Sequence, residues 1–184
     1  YDEYDRQGPK VYIGEYASRS RTMESALAEA LFLCNVERNG DIVEMSSYAP
    51  LLAKEGHHNW NPDLIYFDNE TVTLTPSYKT QQLFSVFSGD RYIKSTLTLD
   101  ESLKHRVAAS VVKDSKMGKT YLKLVNALPV EVALDVRGMD VSSPKSTQGF
   151  QGKPTDNHYE ENVTWQSNGT TITLPPYSVR AVEW

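Results

Sequence analysis

A carboxylate placed directly after a strand-like apolar run is the residue in this chain best suited to chemistry. In the stretch KVYIGEYAS, residues 10–18, Val11, Tyr12 and Ile13 lead into Gly14 and then Glu15. Side chains alternate along a strand, which puts Val11, Ile13 and Glu15 on one predicted face and Tyr12, Gly14 and Tyr16 on the other. The C-terminal strand ends of a (β/α)8 barrel form its active-site face, so a lumen-facing carboxylate there sits where catalysts are found. Gly14 lets the backbone bend or lets a neighbour approach closely. The bland alternative for Glu15 is a solvated strand end, and a three-residue motif does not decide between the two.

The other reactive residue types carry less. His57 and His58 are adjacent and point oppositely on an extended chain, a poor chelate better read as a solvated loop pair. His105 and His158 have no partner at ligand spacing, and Glu160 and Glu161 form a charged loop edge. Cys34, the only cysteine, excludes an internal disulfide and a multi-cysteine zinc site, and its apolar helical setting reads as a small buried side chain. No serine has nucleophile-elbow flanks and no phosphate-cradling glycine loop is present, so neither a cofactor nor a metal is expected.

The elements that must position Glu15 fall into two groups. Val11–Tyr16 reads as a strand. RTMESALAEALFLCNVERNGD, from residue 21, reads as a helix capped by Thr22, with Glu24 and Glu29 toward its positive end and Arg38 near its negative end. Asn39 and Gly40 offer a left-handed stop. Leu27, Leu31, Cys34 and Arg38 make one stripe and Ala28, Phe32 and Val36 a second, an apolar arc wide enough to be buried on more than one side. DIVEMSSY is a second strand, followed by the loop LLAKEGHHNWNPD, the short run LIYFDN and a second helix opening at Pro76 and stopping at Gly89. This alternation implies parallel βα units.

Beyond residue 90 the segments RYIKSTLTL, HRVAASVVKD, KTYLKLVNA, VEVALDVRG, NVTWQSNG and TTITLPPYSVRAVEW are short, β-branched and often alternating, with turn signals between them. They predict an antiparallel β-sandwich, with SSPKSTQGFQGKPTDNHYEE as a long polar surface loop and Trp165, Tyr177 and Trp184 in the core or on a sheet face. Sequons stand at Asn69, Asn162 and Asn168. The 184 residues are 39% apolar and 23% charged, a globular composition with a net charge of −5. There is no basic block and no apolar run of roughly 18 residues, so neither nucleic acid nor a membrane is an expected partner.

Taken in order, VYIGEYAS, ALAEALFLCNVERNGDIVEMSSYAPLL, WNPDLIYFDN and TPSYKTQQLFS resemble the last part of the catalytic barrel of glycoside hydrolase family 51 α-L-arabinofuranosidases. The closing TLPPYSVRAVEW resembles the end of that family's β-sandwich. The resemblance implies α/β plus all-β architecture: the C-terminal βα units of a (β/α)8 barrel over residues 1–89, strands seven and eight with their helices, then a jelly-roll-like antiparallel β-sandwich over 90–184. It implies hydrolysis of terminal non-reducing α-L-arabinofuranosyl residues with retention, and Glu15 as the nucleophile. Trp60 and Asn61 would lie on the active-site rim, a ring to stack on a sugar and an amide to bind a hydroxyl, or else pack the loop and set the turn before Pro62. Tyr48 is a candidate for the same site, with packing as its alternative.

The resemblance also implies incompleteness. The family's acid/base glutamate ends the fourth barrel strand and has no counterpart here, so the parent is expected to be an enzyme and this chain alone inactive. Its partner would be an arabinose-containing oligo- or polysaccharide, which implies a secreted or periplasmic parent. Barrel strands with unpaired edges favour association into a homo-oligomer. The rival reading is a non-catalytic carbohydrate-binding or barrel-supporting β-sandwich module.

Overall fold

The computed structural model describes residues 1–161 and 164–184, and the sequon at Asn162 lies outside the described residues. In chain order the elements are β1 (Val11–Tyr16), α1 (Met23–Arg38), β2 (Val43–Tyr48), β3 (Leu52–Lys54), β4 (Ile65–Phe67), β5 (Val72–Leu74), α2 (Pro76–Val86), β6 (Arg91–Tyr92) and a 3-10 turn at Glu101–Leu103. There follow β7 (Val107–Asp114), β8 (Lys119–Asn126), β9 (Val132–Asp135), β10 (Ser146–Gln151), β11 (Glu160–Glu161), β12 (Ser167–Asn168), β13 (Thr171–Leu174) and β14 (Ser178–Glu183). The predicted β–α–β unit is present, with α1 crossing between the parallel pair β1 and β2. β3, β4 and β5 form a second small sheet, and β7, β8, β10 and β14 are the long members of a six-stranded antiparallel sheet ordered β11-β10-β14-β8-β7-β6.

Period-two alternation explains why the six-stranded sheet can be covered on both faces. From β8, Tyr121 and Val125 join Val112, Phe150, Val179 and Ala181 in a cluster with Met23, Ala26, Leu27, Ala30, Leu33, Cys34, Leu83, Phe84 and Phe87 of the helical layer. Leu122 and Leu124 point the other way, toward Ile172 and Leu174 of the three-stranded sheet β12-β13-β9, with Val141 filling the gap. The result is a β-sandwich carrying a helical layer on its outer face. Trp165 and Trp184 meet edge-to-face at 6.1 Å and pack on the inner cluster, as expected of core or sheet-face residues.

Several local expectations need correction. The polar stretch predicted to be a surface loop contains β10, which pairs with β14 over six residues. Its sequence STQGFQ offers one large apolar side chain, Phe150, so burial periodicity could not reveal it. RYIKSTLTL forms only the two residues of β6. On α1, Ala28 is exposed and the buried stripe is Met23, Ala26, Leu27, Ala30, Leu33 and Cys34, keeping Leu27 and Cys34 of the first predicted stripe while Leu31 and Phe32 are only half-buried against it.

The caps of α1 also differ. Thr22 is extended at the N-cap but makes no side-chain cap bond. The first helical amides of Met23 and Glu24 donate instead to the carbonyls of Asp156 (2.8 Å) and Pro154 (3.0 Å), on the loop after β10. Asn39 closes the helix at φ −103° rather than left-handed. Its amide is buried, donating to the Asn35 carbonyl and to Asp2 while its oxygen accepts from Arg6. α2 opens at Pro76 as predicted, and Thr75, not singled out in the sequence, caps it, its Oγ1 accepting from Tyr78 N–H at 3.2 Å. Gly89 has a steric reason, because a methyl group there would lie 2.5 Å from the Lys113 carbonyl oxygen.

A charged contact with a fully buried lysine joins α1 to the sheet. Lys123, fully buried on β8, donates to Glu37 of α1, whose other oxygen accepts from Ser110 of β7. Burial pushes the Lys123 ammonium below its usual range, and the Glu37 charge opposes that. Truncating one partner strands the other in a dry interface, so Glu37→Ala is expected to cost about 3–5 kcal/mol in chemical denaturation, whereas Glu37→Leu with Lys123→Met should cost far less. Beside it Cys34 is 2% exposed and burial pushes its thiol up to about 12. Thiol reagents at neutral pH are expected to leave Cys34 unmodified until the protein is denatured.

Candidate functional site

β1 is short and irregular, and that irregularity sets the placement of Glu15. Val11 pairs with Val43 and Tyr12 with Met45, and the register shifts again between Ile13 and Tyr16. The strict alternation read from the sequence therefore does not hold across the Gly14–Glu15 step. Glu15 ends exposed while Tyr16, the next residue, turns into the protein. At Gly14 an added methyl group would meet only the Tyr12 ring, at 3.8 Å. Within this chain the glycine fits the irregular strand and answers to no close neighbour.

Tyr48 lies opposite Tyr16 in register, and the two rings meet edge-to-face at 5.7 Å. Tyr48 is 8% exposed, so the structure places it in the packing behind the strands. Tyr16 also packs on Phe32 at 5.0 Å and donates its hydroxyl proton to Gln81 Oε1 at 2.6 Å. Burial first, and the Glu29 charge second, push the Tyr16 phenol up to about 12. A shallow groove of about 200 Å³ opens here between the end of β1 and α1, lined by Tyr16, Ala17, Ser18, Ala28, Glu29 and Phe32.

Trp60 and Asn61 sit on the loop between β3 and β4. Trp60 is 65% exposed, an unusual state for a large ring that folding alone would bury. The loop is nonetheless held firmly by Tyr66 of β4, which is fully buried. Tyr66 Oη accepts from Asp63 N–H at 2.7 Å and donates to Asn61 Oδ1 at 3.0 Å. Its ring carries the Arg21 guanidinium at 3.7 Å on one face and His58 edge-on at 5.4 Å. His58 donates from Nδ1 to the Trp60 carbonyl at 2.7 Å, so it is a structural member of the loop, unlike its exposed neighbour His57. Among the described residues no cluster of three metal-ligating side chains occurs, and no helix is long and apolar enough to cross a membrane.

Sequence reasoning missed Glu29 and Tyr66. The sequence places Glu29 toward the positive end of α1 and says nothing of its burial, yet it is 3% exposed and its Oε1 accepts from Ser18 N–H at 3.0 Å. Burial raises its carboxyl pKa, opposed by hydrogen-bonding groups around it. The available signal was a carboxylate set inside an apolar arc too wide to leave it a wet face.

The chain has clear relatives. The family described as alpha-L-arabinofuranosidase C-terminal domain matches residues 3–178. Alpha-L-arabinofuranosidase 1 of Arabidopsis thaliana is 32% identical over 97% of this chain, and the probable alpha-L-arabinofuranosidase A of Aspergillus terreus is 34% identical over the same share. The chain spans 29% and 30% of the lengths of those two proteins. An arabinose-bound MgGH51 α-L-arabinofuranosidase superposes over the whole chain with a TM-score of 0.85 and 30% identity, the chain covering 33% of it. The GH51 enzyme of Thermotoga petrophila shares the fold at a TM-score of 0.73 and 15% identity, over 95% of this chain and 43% of its own. A sandwich with its helical layer, matched along almost its whole length by these enzymes, belongs to the alpha-L-arabinofuranosidase C-terminal domain family.

Proposed function

We propose that this chain is the C-terminal part of a retaining α-L-arabinofuranosidase acting on terminal non-reducing arabinofuranosyl residues of arabinose-containing polysaccharides. On this reading residues 1–89 carry the last two strands of a (β/α)8 barrel with their helices, and residues 90–184 are the β-sandwich. The observation that carries it is Glu15, exposed at the C-terminal end of β1 in a parallel β–α–β unit, within a chain of this family. β1 and β2 are hydrogen-bonded only to each other among the described residues, which leaves edges for further barrel strands or for a second copy of the protein.

Retention needs two carboxyl groups about 5–5.5 Å apart, one attacking the anomeric carbon and one protonating the departing oxygen. Glu15 takes the first role, forming a glycosyl ester that water later hydrolyses. The acid/base glutamate lies outside this chain. The exposed ring of Trp60 suits the face of a sugar, and Asn61 shares the loop that Tyr66 holds.

Replacing Glu15 by alanine in the full-length protein is expected to abolish turnover of an aryl α-L-arabinofuranoside, measured by release of the phenol; retained turnover would end this proposal. Tyr66→Phe removes both hydrogen bonds that brace the loop, each worth about 0.5–1.5 kcal/mol. It is expected to raise KM for an arabino-oligosaccharide in steady-state assays while kcat changes little.

A further inference from the structure

A side chain that the proposed reaction does not use joins the turn between β1 and α1 to the loop that carries Trp60. Arg21 leaves that turn just before α1 and sets its guanidinium carbon over the Tyr66 ring, 3.7 Å from the centroid. Its Nη2 lies 3.5 Å from Glu55 Oε1, just after β3. Tyr66 is fully buried, and its hydroxyl grips the loop through Asp63 N–H at 2.7 Å and Asn61 Oδ1 at 3.0 Å. His58, bonded to the Trp60 carbonyl, meets the same ring edge-on at 5.4 Å. The hydroxyl of Tyr66 thus holds the loop while its ring holds Arg21. An arginine that merely covers apolar surface lays its stem there and keeps its charged head in water. Arg21 instead rests its guanidinium on the ring.

We propose that Arg21 is a positioning residue for substrate, fixing the loop of Trp60 and Asn61 relative to the turn that follows Glu15. The proposal rests on the roles given to Glu15 and Trp60 above. Its direction follows from how each side is anchored. The turn is tied to α1 without Arg21: Glu29 Oε1 accepts from Ser18 N–H at 3.0 Å, and Ser25 Oγ accepts from Ser20 N–H at 3.0 Å. The loop is held by Tyr66, and Tyr66 meets the turn through the Arg21 guanidinium. Removing Arg21 therefore leaves Glu15 in place and loosens the loop. Substrate binding suffers, and the chemical step does not.

The residue type matters. A guanidinium is planar and weakly hydrated, which suits it to an aromatic face, whereas a lysine ammonium is compact and strongly hydrated. Lysine at this position would keep a charge near Glu55 and lose the stacking. The contact with Glu55 joins two partly exposed side chains and contributes little alone.

Steady-state kinetics and hydrogen exchange on the full-length protein test this. The Arg21 side chain is 34% exposed, so replacing it opens no cavity in the core. Arg21→Ala is expected to raise KM for arabinotriose about fivefold, the scale of one partly exposed cation–π contact, with kcat within about twofold of the parent value. Arg21→Lys should recover little of that loss. Exchange in Arg21→Ala should accelerate on the peptide spanning residues 55–64 and stay unchanged on the one spanning 16–20. An unchanged KM, full rescue by lysine, or unchanged exchange in the loop rejects the positioning role, even where Glu15→Ala is inactive. Turnover retained by Glu15→Ala would overturn the reaction itself, and the exchange experiment then still decides whether Arg21 holds the loop.

Discussion

The docking of α1 onto the six-stranded sheet is the contact through which the two ends of the chain become one structure. Met23, Ala26, Ala30, Leu33 and Cys34 bury themselves against residues of α2, β7, β8, β10 and β14 in one continuous cluster. Apolar packing of this kind supplies the driving force but little directional information. Direction comes from Glu37, which meets Lys123 and Ser110 at one end of the helix, and from the carbonyls of Asp156 and Pro154 at the other. With both ends fixed, the turn from β1 into α1 has little freedom, and Glu15 lies just before that turn.

A large share of this was legible in the residues. α1 and α2 were visible because their apolar spacing spans several turns, and α2 because Pro76 is a local start signal. β7, β8 and β14 were visible because β-branched and apolar residues alternate along them. β10 was hidden because its identity comes from pairing with β14, a long-range hydrogen-bond relation that leaves almost no periodicity in STQGFQ. The true N-terminal partners of α1 were hidden for the same reason: carbonyl acceptors from a distant loop leave no mark on local sequence.

The site was legible to a different depth. Glu15 stood out because a carboxylate follows an apolar run, and the family resemblance gave it a role. Glu15 is exposed, and the alternation used to orient it fails at the register shift beside Gly14. The residues that brace the region, Glu29 and Tyr66, look ordinary in sequence. Their importance lies in burial and in bonds to Ser18, Asn61 and Asp63, which only the folded chain assembles.

The capping of α1 by the loop at Pro154–Asp156 has a consequence for how the protein is made. Helix amides left without acceptors are weak points, and these two wait for carbonyls encoded far downstream. During synthesis the Glu15 region leaves the ribosome long before β10, β14 and that loop exist. Contacts so distant in sequence close late, so these two amides meet their acceptors only after β10 has been made. The loop after β10 thus completes the start of the helix that follows the Glu15 strand, joining two segments about 130 residues apart.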